Sequence, residues 1–120
     1  MIIDTHAHIQ FDQFKGEVPD ILRRAADLNV KKIINVGCDP DKSRIAYEML
    51  DEFDGVNGVS LYAALGVHPY DVLSLNDDVF LQWREWIASD KRVVAIGEIG
   101  LDYYKSDVPK YKQRDAFKRQ

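Results

Sequence analysis

Met1-Ile2-Ile3-Asp4-Thr5-His6-Ala7-His8 opens the chain. An apolar, β-branched start running into polar residues is the pattern of a short buried strand. Side chains alternate faces along a strand, so His6 and His8 point the same way, with Asp4 behind them. Two imidazoles on one face at a strand end can share a metal ion. The pair reads equally well as surface or hydrogen-bonded histidines, so the rest of the chain has to decide.

Working outward, three more apolar runs follow the Met1–Asp4 run: Lys32–Val36, Leu61–Leu65 and Val93–Ile96. Each ends in a polar or glycine-bearing turn. Measured from His8 to Gly37, Gly66 and Gly97, the steps are 29, 29 and 31 residues, the length of one strand plus one helix. Between the runs lie stretches of helical period. Val18–Asn29 sets Ile21, Leu22, Ala25 and Leu28 on one face, with Pro19 near its start. Asp41–Phe53 carries Ile45, Met49 and Phe53, flanked by Ala46 and Leu50. Asp77–Ala88 carries Phe80, Leu81, Trp83 and Ile87, and a fourth helix starts near Pro109 with Tyr111 and Phe117.

Strand and helix in alternation predict an α/β fold, a parallel sheet with helices outside. Four such units make half of an eight-fold barrel, which takes ~250 residues. The alternative is a complete four-stranded open sheet. Tyr111–Gln120 shows neither a C-cap glycine nor a following strand, so the expectation is residues 1–120 as the N-terminal half of a barrel, cut within its fourth helix.

Composition narrows the function classes. The chain has 120 residues, 46% hydrophobic and 30% charged, which is the balance of a globular domain. No apolar run approaches the ~20 residues of a membrane span, and no leader pattern precedes the first strand. Cys38 is the sole cysteine, so an internal disulfide is impossible and a reducing, cytoplasmic setting is expected. Cys38 itself reads as packing rather than as a nucleophile. The net charge of −4 divides into +4 over residues 105–120 and −8 over residues 1–104. The acidic body argues against nucleic-acid binding by bulk charge alone. The basic tail reads as a solvated helix face or as a contact for phosphate.

In parallel α/β folds, functional groups collect at the carboxyl ends of strands. All the polar candidates sit there. His6 and His8 follow the first strand, His68 lies in Gly66-Val67-His68-Pro69-Tyr70-Asp71 after the third, and Glu98 and Asp102 follow the fourth. Parity puts Ala64, Gly66 and His68 on one face, and Val94, Ile96 and Glu98 on one face. Three histidines and an acid on one rim suit a metal site, and two metals ~3.5–4 Å apart suit phosphoester hydrolysis. Each residue also has a plainer reading: Glu98 as an acid holding a loop, His68 as a turn histidine before proline, and Asp102 as a partner for a backbone amide.

The opening Ile2–His8 segment resembles the start of the TatD family of metal-dependent hydrolases. Leu65-Gly66-Val67-His68-Pro69 and Ala95–Tyr104 resemble its next two motifs, and Gln113, Arg114, Phe117 and Gln120 match the spacing of the helix that follows. Gly-Glu-Ile-Gly-Leu-Asp-Tyr is the specific segment, and it separates this family from PHP-type phosphoesterases, which also open with His-x-His. The resemblance implies an amidohydrolase-like TIM barrel and a two-metal deoxyribonuclease. The alternatives are an ester or amide hydrolase, such as a D-aminoacyl-tRNA deacylase, and a non-catalytic metal-binding fragment.

By resemblance, His6 and His8 are ligands of one metal and Glu98 bridges two; imidazole with carboxylate suits Zn, Mn, Fe or Ni, and Mg less well. His68 contacts the substrate phosphate or its attacking water, while Asp4 lies behind the ligands; Asp102 is placed behind them by its position after the fourth strand, orienting a ligand or binding a backbone amide. DNA or another phosphate-containing molecule is the implied substrate. Position 10, where the family usually carries Asp or Asn, holds Gln10, a departure that reads as minor because it follows the ligands. Further family ligands and a late aspartate base fall outside the 120 residues. The chain by itself is therefore expected to be inactive and to self-associate through open barrel edges.

Overall fold

A computed structural model describes residues 1–120. Its four strands are β1 (Ile2–Ala7), β2 (Val30–Val36), β3 (Ser60–Leu65) and β4 (Val93–Ile96). They form one sheet in the order β1-β2-β3-β4, and every neighbouring pair is parallel. Four α-helices lie between and after them: α1 (Val18–Asp27), α2 (Pro40–Phe53), α3 (Asp77–Ser89) and α4 (Lys110–Arg119).

The consecutive order decides between the two candidate folds. Parallel crossovers are right-handed, so strands added always in the same direction put every helix on the same side of the sheet. A doubly wound open sheet needs a reversal of strand order, and none occurs. The result is half of a (β/α)8 barrel: four parallel strands with their flanking helices on the outside.

Burial follows that geometry. On the helix-covered face, Leu61, Ala63 and Leu65 of β3 and Ile33 and Asn35 of β2 are buried, whereas Ser60 and Tyr62 on the other face are half-exposed. Leu22 of α1, Met49 and Leu50 of α2, Trp83 of α3 and Val93 of β4 complete the core. Full burial of one such aliphatic side chain contributes about 1.5–3 kcal/mol.

Two helix starts are built by capping side chains. Asp39 accepts the Lys42 N–H at 2.7 Å ahead of Pro40, and Asn76 accepts the Val79 N–H at 3.0 Å. At the foot of β4, Arg92 joins the Asp90 and Asp51 carboxylates and donates to the Leu50 carbonyl at 2.8 Å. This network ties β4 to the end of α2.

The apolar stripes need three corrections. Leu28 lies beyond the last residue of α1 and is exposed. On α3 only Trp83 is fully enclosed, and Leu81 and Ile87 face outward. On α4 the buried residues are Gln113 and Ala116, while Tyr111 and Phe117 are exposed. The cause on α4 is polar. The Gln113 amide accepts the Asp102 N–H at 2.9 Å and donates to the Asp102 carbonyl at 2.7 Å, so the helix docks through a glutamine that pins the preceding loop. β1 also runs further than its apolar run, pairing Ala7 with Asn35, so His6 is within the strand and His8 just past it.

Candidate metal centre

His6, His8 and Glu98 come together at the carboxyl end of the sheet, and one ligand atom from each lies within 4.8 Å of the other two. The two Nε2 atoms are 3.1 Å apart. The nearer Glu98 carboxylate oxygen, Oε2, is 3.8 Å from His6 Nε2 and 3.5 Å from His8 Nε2. Nitrogens each ~2.1 Å from one ion, subtending tetrahedral or right angles, stand about 3.0–3.4 Å apart. The imidazole pair therefore has the spacing of two ligands to a shared ion, and the carboxylate needs only a small inward shift. The donor set of two imidazoles and one carboxylate suits a transition-metal dication.

The orientation of His8 comes from β2. His8 Nδ1 lies 2.7 Å from the Val36 carbonyl oxygen, so that nitrogen carries the proton and donates. The Nε2 lone pair is then free to face Glu98, an arrangement common to metal-binding histidines. Phe11 stacks on the His8 ring with centroids 4.7 Å apart. Asp4 acts on the other histidine through the backbone, its Oδ1 accepting the His6 N–H at 3.0 Å.

Glu98 is placed by close backbone approach. The Gly97 N–H donates to Leu65 O at 2.9 Å, and the Glu98 N–H reaches Gly37 O at 3.5 Å. The ends of β2 and β4 thus meet over β3, at Gly66. A side chain there would collide with Gly97 and Glu98 backbone atoms. Ser43 of α2 holds Gly66 from below, accepting its N–H at 3.1 Å and donating to its carbonyl at 3.0 Å. Gly37 allows this contact, because a Cβ there would stand 2.5 Å from Ser43 Cα.

His68 and Asp102 lie outside the three-residue cluster. The His68 N–H donates to Cys38 O at 2.7 Å, and its Nδ1 accepts the Tyr70 N–H at 3.2 Å. In the neutral ring the proton is therefore on Nε2. The Asp102 carboxylate accepts the Tyr104 N–H at 2.9 Å, so its visible partner is a backbone amide. Tyr70 links the two regions, since its ring meets His68 edge-on at 4.8 Å and its hydroxyl donates to the Tyr104 carbonyl. Partial desolvation and the nearby Asp102 charge raise the Tyr70 phenol above its ordinary pKa. Cys38 is half-buried, and burial, with Asp39, Glu98 and Asp71 nearby, pushes its thiol up to about 11. It stays protonated at neutral pH, as a packing residue does.

Sequence reasoning missed the residues that orient these side chains. Asn35 is fully buried, and its Oδ1 accepts the Ile9 N–H at 3.0 Å. A polar residue inside the apolar run Lys32–Val36 was the signal available for it. Ser43 and the Val36 carbonyl gave none.

The chain is similar to known proteins along nearly its whole length. Residues 3–120 match the family TatD related DNase. The chain is 36% identical over 120 residues to the uncharacterized metal-dependent hydrolase YabD of Bacillus subtilis, covering 100% of this chain and 45% of that protein. It is 30% identical over 119 residues to the 3'-5' ssDNA/RNA exonuclease TatD of Yersinia pseudotuberculosis, covering 99% and 44%. Among solved structures, the TatD homologue YjjV of Escherichia coli superposes with a TM-score of 0.81 at 33% identity, covering 98% of this chain and 44% of that one. The chain thus spans a little under half the length of the relatives it matches.

Proposed function

We propose that this chain, which belongs to the family of TatD related DNases, supplies part of the centre of a metal-dependent phosphodiesterase acting on single-stranded nucleic acid. The observation that carries the reading is the convergence of His6, His8 and Glu98 at one strand-end rim. In this reading His6 and His8 would hold one divalent ion through Nε2, and Glu98 would serve it and a second ion as a carboxylate ligand. Bound ions of this kind polarise a phosphoryl oxygen and lower the pKa of water. The protein's own part is to fix the ligands and to bind the substrate. His68, with its proton on Nε2, donates to a phosphate oxygen or orients the attacking water. Asp4 holds the backbone of His6, and Asp102 shapes the loop that leads to the substrate.

That loop and the first turn of α4 support a nucleic-acid substrate over a small acyl molecule. Tyr103, Tyr104 and Tyr111 are exposed, and the ammonium groups of Lys110, Lys105 and Lys112 lie 5.0, 5.2 and 5.6 Å from their respective ring centroids. Exposed aromatic rings interleaved with lysines are the means by which single strands are bound, through stacking and phosphate attraction together. The exonuclease of Yersinia pseudotuberculosis named above has a substrate of this kind.

The test is hydrolysis of a labelled single-stranded oligonucleotide by the full-length chain with Zn, Mn, Mg, Fe or Ni supplied in turn. Cleavage is expected, with loss on chelation. Tyr104→Ser should raise KM for the oligonucleotide about tenfold, since stacking contributes ~1–3 kcal/mol per base. The same variant should leave cleavage of a small phosphodiester unchanged. Metal-dependent cleavage of a D-aminoacyl ester with no action on phosphodiesters would assign the chain to acyl chemistry instead.

The 120 residues expressed by themselves should behave differently. β1 and β4 each keep one unpaired edge, and Ile2, Ile3 and Val94 are 52%, 47% and 47% exposed. Open edges beside exposed apolar residues favour association. A two-ion centre also takes about four to six protein ligands, more than the three that converge here. Light scattering after size exclusion should show a dimer or larger species without turnover. A monodisperse monomer with metal-dependent turnover rejects this expectation.

A further inference from the structure

Gln10 is buried, 5% exposed, and its Oε1 has no hydrogen-bond partner. A buried acceptor left unpaired costs stability, and an apolar side chain of the same length would remove that cost. What the amide does in return lies at one atom. Gln10 Nε2 donates to the Val36 carbonyl oxygen at 2.6 Å, and the same oxygen accepts the His8 Nδ1–H at 2.7 Å.

We infer that Gln10 is a positioning residue for His8, acting through the Val36 carbonyl; this rests on the metal-centre reading above. A carbonyl oxygen has two lone pairs, and here each meets one donor. With both engaged, the oxygen is fixed in direction. The imidazole that shares it is then fixed in plane and in tautomer, with Nε2 bare toward Glu98. The chain between them is fastened as well. Ile9 is buried, and its N–H donates to Asn35 Oδ1, so His8 and Gln10, two residues apart, project onto the same oxygen of β2. The group that accepts a metal-binding imidazole's second N–H changes affinity by about 10–100-fold when lost; here that group is the Val36 carbonyl, and Gln10 stands one hydrogen bond behind it, so a smaller part of that effect is expected from Gln10.

A plainer role is available, in which Gln10 is only a fastener between the segment after β1 and β2. The two roles separate on Gln10→Met, which keeps length and apolar packing and removes both the donor and the unpaired acceptor. Three measurements on the full-length chain are needed. In the metal-free protein at one fixed pH, the His8 Nδ1–H proton should be protected in the wild type and exchange at least about tenfold faster in the variant. Zinc affinity, read by chelator competition, should fall about three- to tenfold, less than the ~10–100-fold that follows loss of an imidazole's direct partner. The melting temperature of the metal-free variant should be unchanged or higher.

A fastener gives the opposite pattern: a lower melting temperature with unaltered Nδ1–H exchange and zinc affinity, and that result overturns the inference. So does a variant identical to the wild type in exchange and affinity. If the wild type binds no zinc, the metal-centre reading fails, while the exchange measurement still decides whether Gln10 orders His8. Should Gln10→Met not fold, Gln10→Leu also lacks both the donor and the acceptor, and the same exchange comparison applies to it.

Discussion

Glu98→Ala will lower metal-dependent hydrolysis by the full-length chain on the order of a thousandfold or more, and the fold will stand. The magnitude follows from the role assigned above. In the proposed role the Glu98 carboxylate would help hold both ions, and the charge stabilisation such ions supply is worth several kcal/mol, each 1.4 kcal/mol of which is about tenfold in rate. The fold survives because the Glu98 side chain is about one-third exposed and lies at a rim, not among the core residues. Its removal also leaves no buried partner stranded, since His8 keeps its bond to Val36. Circular dichroism should match the wild type, and turnover should be near background. A well-folded variant with near wild-type turnover would remove Glu98 from the chemistry and return it to the role of a loop-holding acid.

The fold was largely legible because its signals are periodic. The four strands were marked by apolar runs, and their even spacing left room for one helix each. The parity argument that aligned His6 with His8 used only the alternation of a strand. Strand order was not legible, because pairing is a long-range property. It is the order, and the one-sided placement of helices that follows, that makes the sheet half a barrel.

Within the site, the three side chains that converge were readable and their supports were not. Asn35, Gln10, Ser43 and Gln113 are polar residues buried to serve backbone groups of other segments. A sequence shows such residues as ordinary polar positions, since their partners lie 23 to 26 residues away for Ser43, Asn35 and Gln10. The α4 stripe failed for the same reason, its buried side being chosen by a glutamine's hydrogen bonds rather than by Tyr111 and Phe117.

Gly66→Ala carries the second large expected effect, and it tests whether close packing of strand ends sets the position of Glu98. A Cβ at Gly66 would lie 2.5 Å from the Gly97 carbonyl carbon and 2.7 Å from the Glu98 nitrogen, and would also strike the Gly97 oxygen. These are backbone atoms, so no side-chain rotation relieves the clash. Nor can β3 retreat, because Ser43 grips both polar groups of Gly66 from the helix side. The end of β4 must therefore move away, stretching the bonds from Gly97 to Leu65 and from Glu98 to Gly37. Overpacking of this kind costs about 1–3 kcal/mol of stability. A displacement of ~1 Å at a reacting group costs on the order of a hundredfold in rate. Both losses are expected together, with zinc affinity falling as Glu98 leaves the imidazoles. Gly97→Ala is the comparison, since a Cβ there meets nothing within 4 Å, and it should be much the milder of the two in stability. Wild-type melting and wild-type zinc affinity in Gly66→Ala would show that the strand ends have slack, and that something other than this contact places the carboxylate.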